Sequence, residues 1–405
     1  MVSTPETAAS PARPTPVGLL RYGLAAGILL ALTWWGLSAH ERSGGGLSML
    51  IVLGAAFGWV LQRSRFCFFC MIREWLEEGE VRGPLGILSA LAAGTVGYLL
   101  IFGAWIPDPS AGHLPPRAHI GPASWVVVLG GLAFGAGMSL SGSCISAHLY
   151  RLGEGSLLSV FALAGVVPGF MLGMLAWNRL WSLAIADAPP LWLPNIAGGY
   201  AASAAVQLAL IAVLAILLIT RLKPTQPSTA LPWSPARLWQ AVMVERWPAW
   251  LGGLLIGLIG VFAYLRTRPL GVTAELSRQS RRLGDQLGMI PDRLEGLDRL
   301  SGCIVTDTTA LIADNGLFLI AMIAASTAAA LLAGQFRVQR KSPRAIFAAA
   351  GGGVLLGFGA MIALGCSIGT LLSGISALAI SGWLFAWAML AGIWLTLPLR
   401  RRWLG

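Results

Sequence analysis

The sequence predicts an all-α polytopic membrane protein, an inverted repeat of glycine-rich transmembrane helices. Three observations predict it. Of the 405 residues, 56% are hydrophobic and 11% charged, against about a quarter charged in soluble domains. Ten apolar runs, at about 19–38, 49–69, 84–106, 124–147, 157–177, 197–220, 248–265, 316–333, 346–366 and 375–398, approach the ~20 residues that cross a bilayer. A glycine–cysteine phrase also recurs with fixed spacing: Gly54, Gly58, Cys67; Gly131, Gly135, Cys144; Gly353, Gly357, Cys366. A fourth copy keeps Gly253 and Gly257 but has Arg266 at the cysteine position.

Taken in order, residues 1–17 are polar and proline-rich and read as a disordered tail. The run from Leu19 to Leu37 is long for a signal-peptide core and no small-residue cleavage site follows it, so it reads as a retained span. Arginine and lysine orient the rest. The segments 221–247 and 334–345 and the C-terminal Arg400, Arg401 and Arg402 carry clustered positive charge and read as cytoplasmic. Counting spans back from them puts both termini and 70–83 inside, and 107–122 and 178–196 outside. The copies at 54–67 and 131–144 then run inward, and those at 253–266 and 353–366 run outward. That is an inverted repeat, an architecture common among transporters. The expected organisation is a first membrane repeat with a leading span at 18–220, a cytoplasmic linker at 221–247 and a second repeat at 248–405. The segment 266–315 balances its charges and reads as an outer, partly helical stretch or a re-entrant piece.

The net charge of +11 sits in short segments between apolar runs. It therefore reads as membrane orientation, with the lipid bilayer as partner and no nucleic acid. Five cysteines, mostly within apolar runs, do not form a disulfide framework. The lysines, Lys223 and Lys341, are not in a phosphate-cradling glycine loop, so no nucleotide motor is expected. Cys67-x-x-Cys70 has no matching set among His40, His113, His119 and His148, and no metal or cofactor is expected. Cys70 and Cys303 lack the repeat phase and read as packing residues. His148, Tyr150, Arg151 and Glu154 read as a solvated turn, and Thr306, Asp307, Thr308, Thr309 and Asp314 as a polar outer loop.

Glycines four apart share a helix face and admit a second backbone, the small-xxx-small pattern of membrane helices. In an unbroken helix a cysteine nine positions later faces the opposite side, toward lipid or a conduit. If the helix instead breaks at Gly142-Ser143-Cys144 and Gly365-Cys366, the freed backbone groups need protein or a water-lined cavity. The helix beyond such a break aims its N-terminal amides at a bound anion. The spacing leaves both arrangements open. A thiol is a weak donor with a soft, polarisable sulfur, suited to a ligand that itself contains sulfur. Arg63 and Arg65 stand just before Cys67, where they attract an anion or anchor the helix end.

At Arg65-Phe66-Cys67-Phe68, at Gly135 to Cys144, at Gly271-Val272-Thr273 and at Gly357-Phe358-Gly359 through Gly365-Cys366-Ser367-Ile368-Gly369, the chain resembles the YeeE/YedE family of sulfur-transport membrane proteins. The resemblance covers most of the chain beyond about residue 50. It implies thiosulfate uptake, with cysteines passing the ion along by S–H···S hydrogen bonds and Gly-Cys loops meeting at a constriction. Cys366 falls on the second Gly-Cys-x-x-Gly cysteine, between Gly365 and Gly369; Cys144, after Gly142, falls on the first; Cys67 falls on the cysteine nearer the start. Ser143 and Ala147 depart from the family glycines of the first motif. Their bulk reshapes the passage beside the thiol, and the Ser143 hydroxyl adds a donor.

The expected function is inner-membrane uptake of a small sulfur-containing anion, thiosulfate first, by a transporter and not an enzyme. The expected pathway residues are Arg65, Cys67, Gly142, Ser143, Cys144, Gly365, Cys366 and Gly369. A soluble cytoplasmic sulfur-carrier protein is a candidate recipient. The alternatives are a transmembrane thiol–disulfide electron carrier using Cys144 and Cys366, and a transporter of another anion or a selenium compound.

Overall fold

The computed structural model of the chain describes residues 16–43, 45–106, 108–109, 113–222, 234–300, 302, 313–339 and 341–404. Its helices are α1 (Pro16–Ser43), α2 (Gly45–Ser64), α3 (Phe68–Glu78), α4 (Arg82–Trp105), α5 (Trp125–Ser141), α6 (Ile145–Gly153), α7 (Leu157–Leu180) and α8 (Leu193–Ile196). They continue as α9 (Tyr200–Ile219), α10 (Pro235–Trp239), α11 (Ala249–Arg266), α12 (Ala274–Gln286), α13 (Asp314–Leu332), α14 (Pro343–Ile362), α15 (Gly374–Ser376) and α16 (Ile380–Leu404). Among the described residues ten helical spans are long and apolar enough to cross a membrane, counting α2 with α3 and α5 with α6. They coincide with the ten apolar runs. The chain is an all-α polytopic membrane protein.

The repeated glycines explain how the spans pair. A Cβ on Gly54 or Gly58 would come within 2.4 or 2.1 Å of the carbonyl oxygens of Phe318 and Met322, so α2 lies backbone to backbone on α13. Gly253 and Gly257 do the same for α11 against Gly86 and Ala90 of α4. Gly131 and Gly135 bring α5 onto α16, and Gly353 and Gly357 bring α14 onto α7. Each copy of the phrase thus makes one close helix pair, held by dispersion across the small residues. The pairs α2–α13 and α11–α4 are counterparts of each other, as are α5–α16 and α14–α7, and α5 packs on α14 at the centre.

The spans that carry the phrase are broken. Gly352, nine residues into α14, lies against the Ser141 backbone nitrogen; at the ~1.5 Å rise of an α-helix, α5 therefore stops about 14 Å short of the level where α14 begins. The chain turns through Gly142, which caps α5 at φ 86°, a left-handed conformation that costs glycine nothing. It then resumes as α6. At the other end of the pair, Gly359 and Ala363 approach Gly130, five residues into α5. There α14 stops and the chain continues through Leu364, also at positive φ, and Gly365 into a wide π-helical turn, Ser367–Ser373. The unbroken alternative does not occur.

The uncertain stretch 266–315 contains α12, whose buried Glu275 accepts from Arg278 and Gln279. Of the proposed tail, only its last two residues belong to the described part, at the start of α1. Residues 223–233 of the linker, Cys303 and Thr306 to Thr309 lie outside the described residues.

Candidate functional site

Four short helices begin at the four breaks, and their N-cap residues are Cys67, Cys144, Thr273 and Cys366. Each cap carbonyl accepts the first helical bond: from Met71, His148, Ser277 and Thr370 respectively. In all three thiol caps the sulfur faces the N–H three residues on. Cys67 Sγ accepts from Cys70 N at 3.5 Å; Cys144 and Cys366 face the N–H groups of Ala147 and Gly369 with looser geometry. Helix N-termini carry unpaired amides and the positive end of the helix dipole. Several of them meeting inside a bundle make a setting for an anion.

The thiols form a row. Cys67 and Cys144 contact each other, Cys67 also contacts Cys70, and Cys366 lies near enough to Cys144 to act on it electrostatically. Cys67, Cys144 and Cys366 are at most 1% exposed and share one core cluster with Phe66, Phe68, Ile145 and Ile368. Cys144 Sγ also meets Ser146 Oγ at 3.2 Å.

Past Cys366 the surroundings are polar. The Thr273 hydroxyl faces the Cys366 thiol, and His119, from the loop before α5, packs against Gly365 and Gly374. Burial pushes the His119 imidazole down to about 4, so it is neutral at ordinary pH. Its Nε2 and the Ser367 and Ser277 hydroxyls are buried with no partner among the described residues, a rarity in folded chains outside sites that take water or a ligand. Gly365 is required as glycine: a Cβ there would sit 2.7 Å from Thr370 Oγ1 and 3.0 Å from His119 Cε1.

On the opposite side the row ends in a cavity of about 400 Å³ lined by Arg65, Cys70, Gly142, His148, Arg151 and Arg400 among others. In total seven arginine or lysine side chains line it against two glutamates, Glu74 and Glu154. The basic segments from 246, 335–341 and 400 all contribute to it, so they share one face of the molecule. Arg151 joins cavity to thiols, donating from Nη2 to Cys70 Sγ at 3.0 Å and from Nη1 to Ser143 Oγ at 2.5 Å. Ser143 Oγ in turn donates a hydrogen bond to the Gly142 carbonyl at 2.6 Å. Arg63, by contrast, is buried and holds Gln62, Gln335 and the Met243 carbonyl, tying helix ends together.

All eight expected residues therefore lie along the row or at its mouth. Four assignments change. Cys70 is not a mere packing residue but the thiol at the cavity end. Arg151 and His148 do not belong to a solvated turn: they lie in α6, with His148 2% exposed. The fourth-copy counterpart of the cysteines is not Arg266, which ends α11, but Thr273, seven residues on. The only hint of it in the chain was Gly271-Val272-Thr273, since a longer break defeats a fixed-spacing comparison.

A family model described as sulphur transport matches residues 63–395. The thiosulfate transporter TsuA of Escherichia coli (strain K12) is 27% identical over 361 residues, which are 85% of this chain and 92% of that protein. Thiosulfate transporter TsuA of Spirochaeta thermophila is 27% identical over 358 residues, 85% of this chain and 96% of that protein. A probable transporter, YedE of Salmonella typhimurium, is 28% identical over 138 residues, 34% of this chain and 31% of its own length.

Proposed function

The chain belongs to the sulphur transport family, and from that premise we propose that it takes up thiosulfate across the inner membrane, relayed along Cys366, Cys144, Cys67 and Cys70. The observation that carries this reading is the meeting of three thiol helix caps and Thr273 at the centre of the bundle. Thiosulfate has a soft sulfur end and a hard, oxygen-rich end. The thiols donate S–H to the former while first-turn amides and the helix dipoles offset the charge. Conduction needs several sites, each weak enough to release the ion to the next, and a row of weak donors meets that need.

In this reading the basic cavity at the end of the thiol row is a vestibule, the cytoplasmic exit. Both termini are cytoplasmic, and the repeats are 18–220 and 248–405, joined through 221–247. A soluble sulfur-carrier protein collecting the ion at the vestibule is a compatible extension. The division of roles by sequence position supports this, since the basic segments that line the vestibule are those the positive-inside bias assigns to the cytoplasm.

The test is uptake of labelled thiosulfate into cells or right-side-out vesicles by Cys144→Ser and Cys366→Ser variants. Each is expected to lose at least tenfold in rate, about 1.4 kcal/mol of barrier, at unchanged membrane abundance. Full activity in both sinks the relay. A reversible Cys144–Cys366 disulfide in a protein without thiosulfate uptake establishes the electron-carrier reading instead.

A further inference from the structure

We propose that the basic vestibule is a second anion site, one that takes a divalent tetrahedral oxyanion lacking a sulfane sulfur, with sulfate as the simplest example. The blocking role argued below rests on the transport reading above; the binding itself does not.

The cavity volume of about 400 Å³ falls among the ~300–1,000 Å³ of ligand pockets. It accommodates a small oxyanion together with part of its hydration. Its charge is lopsided, with seven basic side chains against Glu74 and Glu154, and Glu154 is already engaged by Gln62 Nε2 at 3.1 Å.

Two groups turn this general field into a site. Arg151 presents a planar guanidinium at the inner wall, held by Ser143 and Cys70, and guanidinium suits bidentate binding of oxyanions. His148 lines the same cavity, is 2% exposed, and meets Ser159 Oγ at 3.2 Å through Nδ1. Its Nε2 is buried without a partner among the described residues. With Ser159 donating to Nδ1, Nε2 carries the proton and offers N–H to a bound oxygen.

These donors are hard N–H groups, while the thiols beyond them are soft and lie among Phe66, Phe68 and Ile145. An oxyanion without a sulfur end satisfies its oxygens in the vestibule. In the thiol row it has no sulfur end for the thiols to hold, so less offsets its dehydration there than for thiosulfate. Sulfate therefore enters the vestibule, stops at Arg151 and occupies the exit that thiosulfate must use. The thiol row selects for sulfur and the vestibule selects for the oxyanion end.

The decisive measurement is equilibrium binding of labelled sulfate to the full-length, detergent-purified protein at low salt. Saturable binding is expected, weakened at least tenfold in Arg151→Gln and two- to threefold in the rim variant Lys341→Gln, with gel-filtration profiles unchanged. Absence of saturable binding in the wild-type protein overturns the proposal, whatever the fate of either variant; so does binding that neither substitution weakens. In vesicles of defined sidedness, sulfate on the vestibule face is expected to slow thiosulfate uptake, and sulfate on the other face to have no effect. Equal action from both faces refutes the blocking role. Vesicles with no thiosulfate uptake refute the transport reading while leaving the sulfate site standing.

Discussion

At Thr273 the chain puts a hydroxyl where the three other breaks put a thiol. The backbone job is the same, since each residue opens a helix and its carbonyl accepts the first helical bond. The chemistry differs: a hydroxyl is a harder, stronger donor than S–H. It faces Cys366 across the centre and is suited to the oxygen end of a thiosulfate whose sulfur lies on the thiol. Thr273→Val, which keeps shape and removes the donor, is expected to lower thiosulfate uptake severalfold, in line with ~0.5–1.5 kcal/mol for one hydrogen bond. Thr273→Ser is expected to retain uptake. Transport assays on the two variants distinguish a donor from a packing role, because a mere packing role predicts the greater loss in Ser. Cys70 and Arg151 were illegible for a related reason. Neither shares the glycine–cysteine phase of the repeat, and only the fold brings Arg151, eight residues after Ser143, against a cysteine 81 positions earlier.

Among the elements, the glycine pairs and the caps prove to have separate tasks. The glycines let α2, α5, α11 and α14 each touch a partner backbone; the residue past each break opens a short helix. That separation is why the phrase repeats with a fixed glycine–glycine distance in all four copies, whereas the distance to the cap lengthens in the copy that starts at Gly253. Two glycines on α14 test it. A Cβ on Gly357 would lie 2.2 Å from the Val166 carbonyl oxygen, while one on Gly351 meets nothing within 4 Å. Gly357→Ala is expected to destabilise by about 1–3 kcal/mol through overpacking. Gly351→Ala is expected to be neutral or stabilising by up to ~1 kcal/mol, because alanine is the better helix former. Thermal unfolding in detergent reads both; equal effects at the two positions contradict the close-pair account.

For the whole molecule, the crossed pairing of α2 with α13, α4 with α11, α5 with α16 and α7 with α14 gives two halves that embrace rather than sit side by side. The thiol row runs through their contact. The proposed orientation makes a sided prediction. Cysteines introduced at Leu238, Val338 and Trp403, all exposed, are expected to react with an impermeant thiol reagent from the cytoplasmic face. One introduced at the exposed Met289 is expected to react from the other face. Labelling of the 238 position from outside refutes the assignment of 221–247 to the cytoplasm.

Composition and hydrophobic run length by themselves determined that the chain is a polytopic helical membrane protein, because bilayer thickness and backbone hydrogen bonding leave few alternatives. The repeated phrase marked Cys67, Cys144 and Cys366 without distinguishing a helix that runs on from one that breaks. Only the tertiary structure decided that. The breaks at Gly142–Cys144 and Leu364–Cys366 fall inside the bundle because α5 and α14 overlap along most of their length. The nearness of Cys70, Thr273 and Arg151 to the expected residues of the candidate site was likewise a matter of distances between remote segments. Those distances depend on how close two backbones can approach at glycine, a property of pairs of helices that no single stretch of sequence contains.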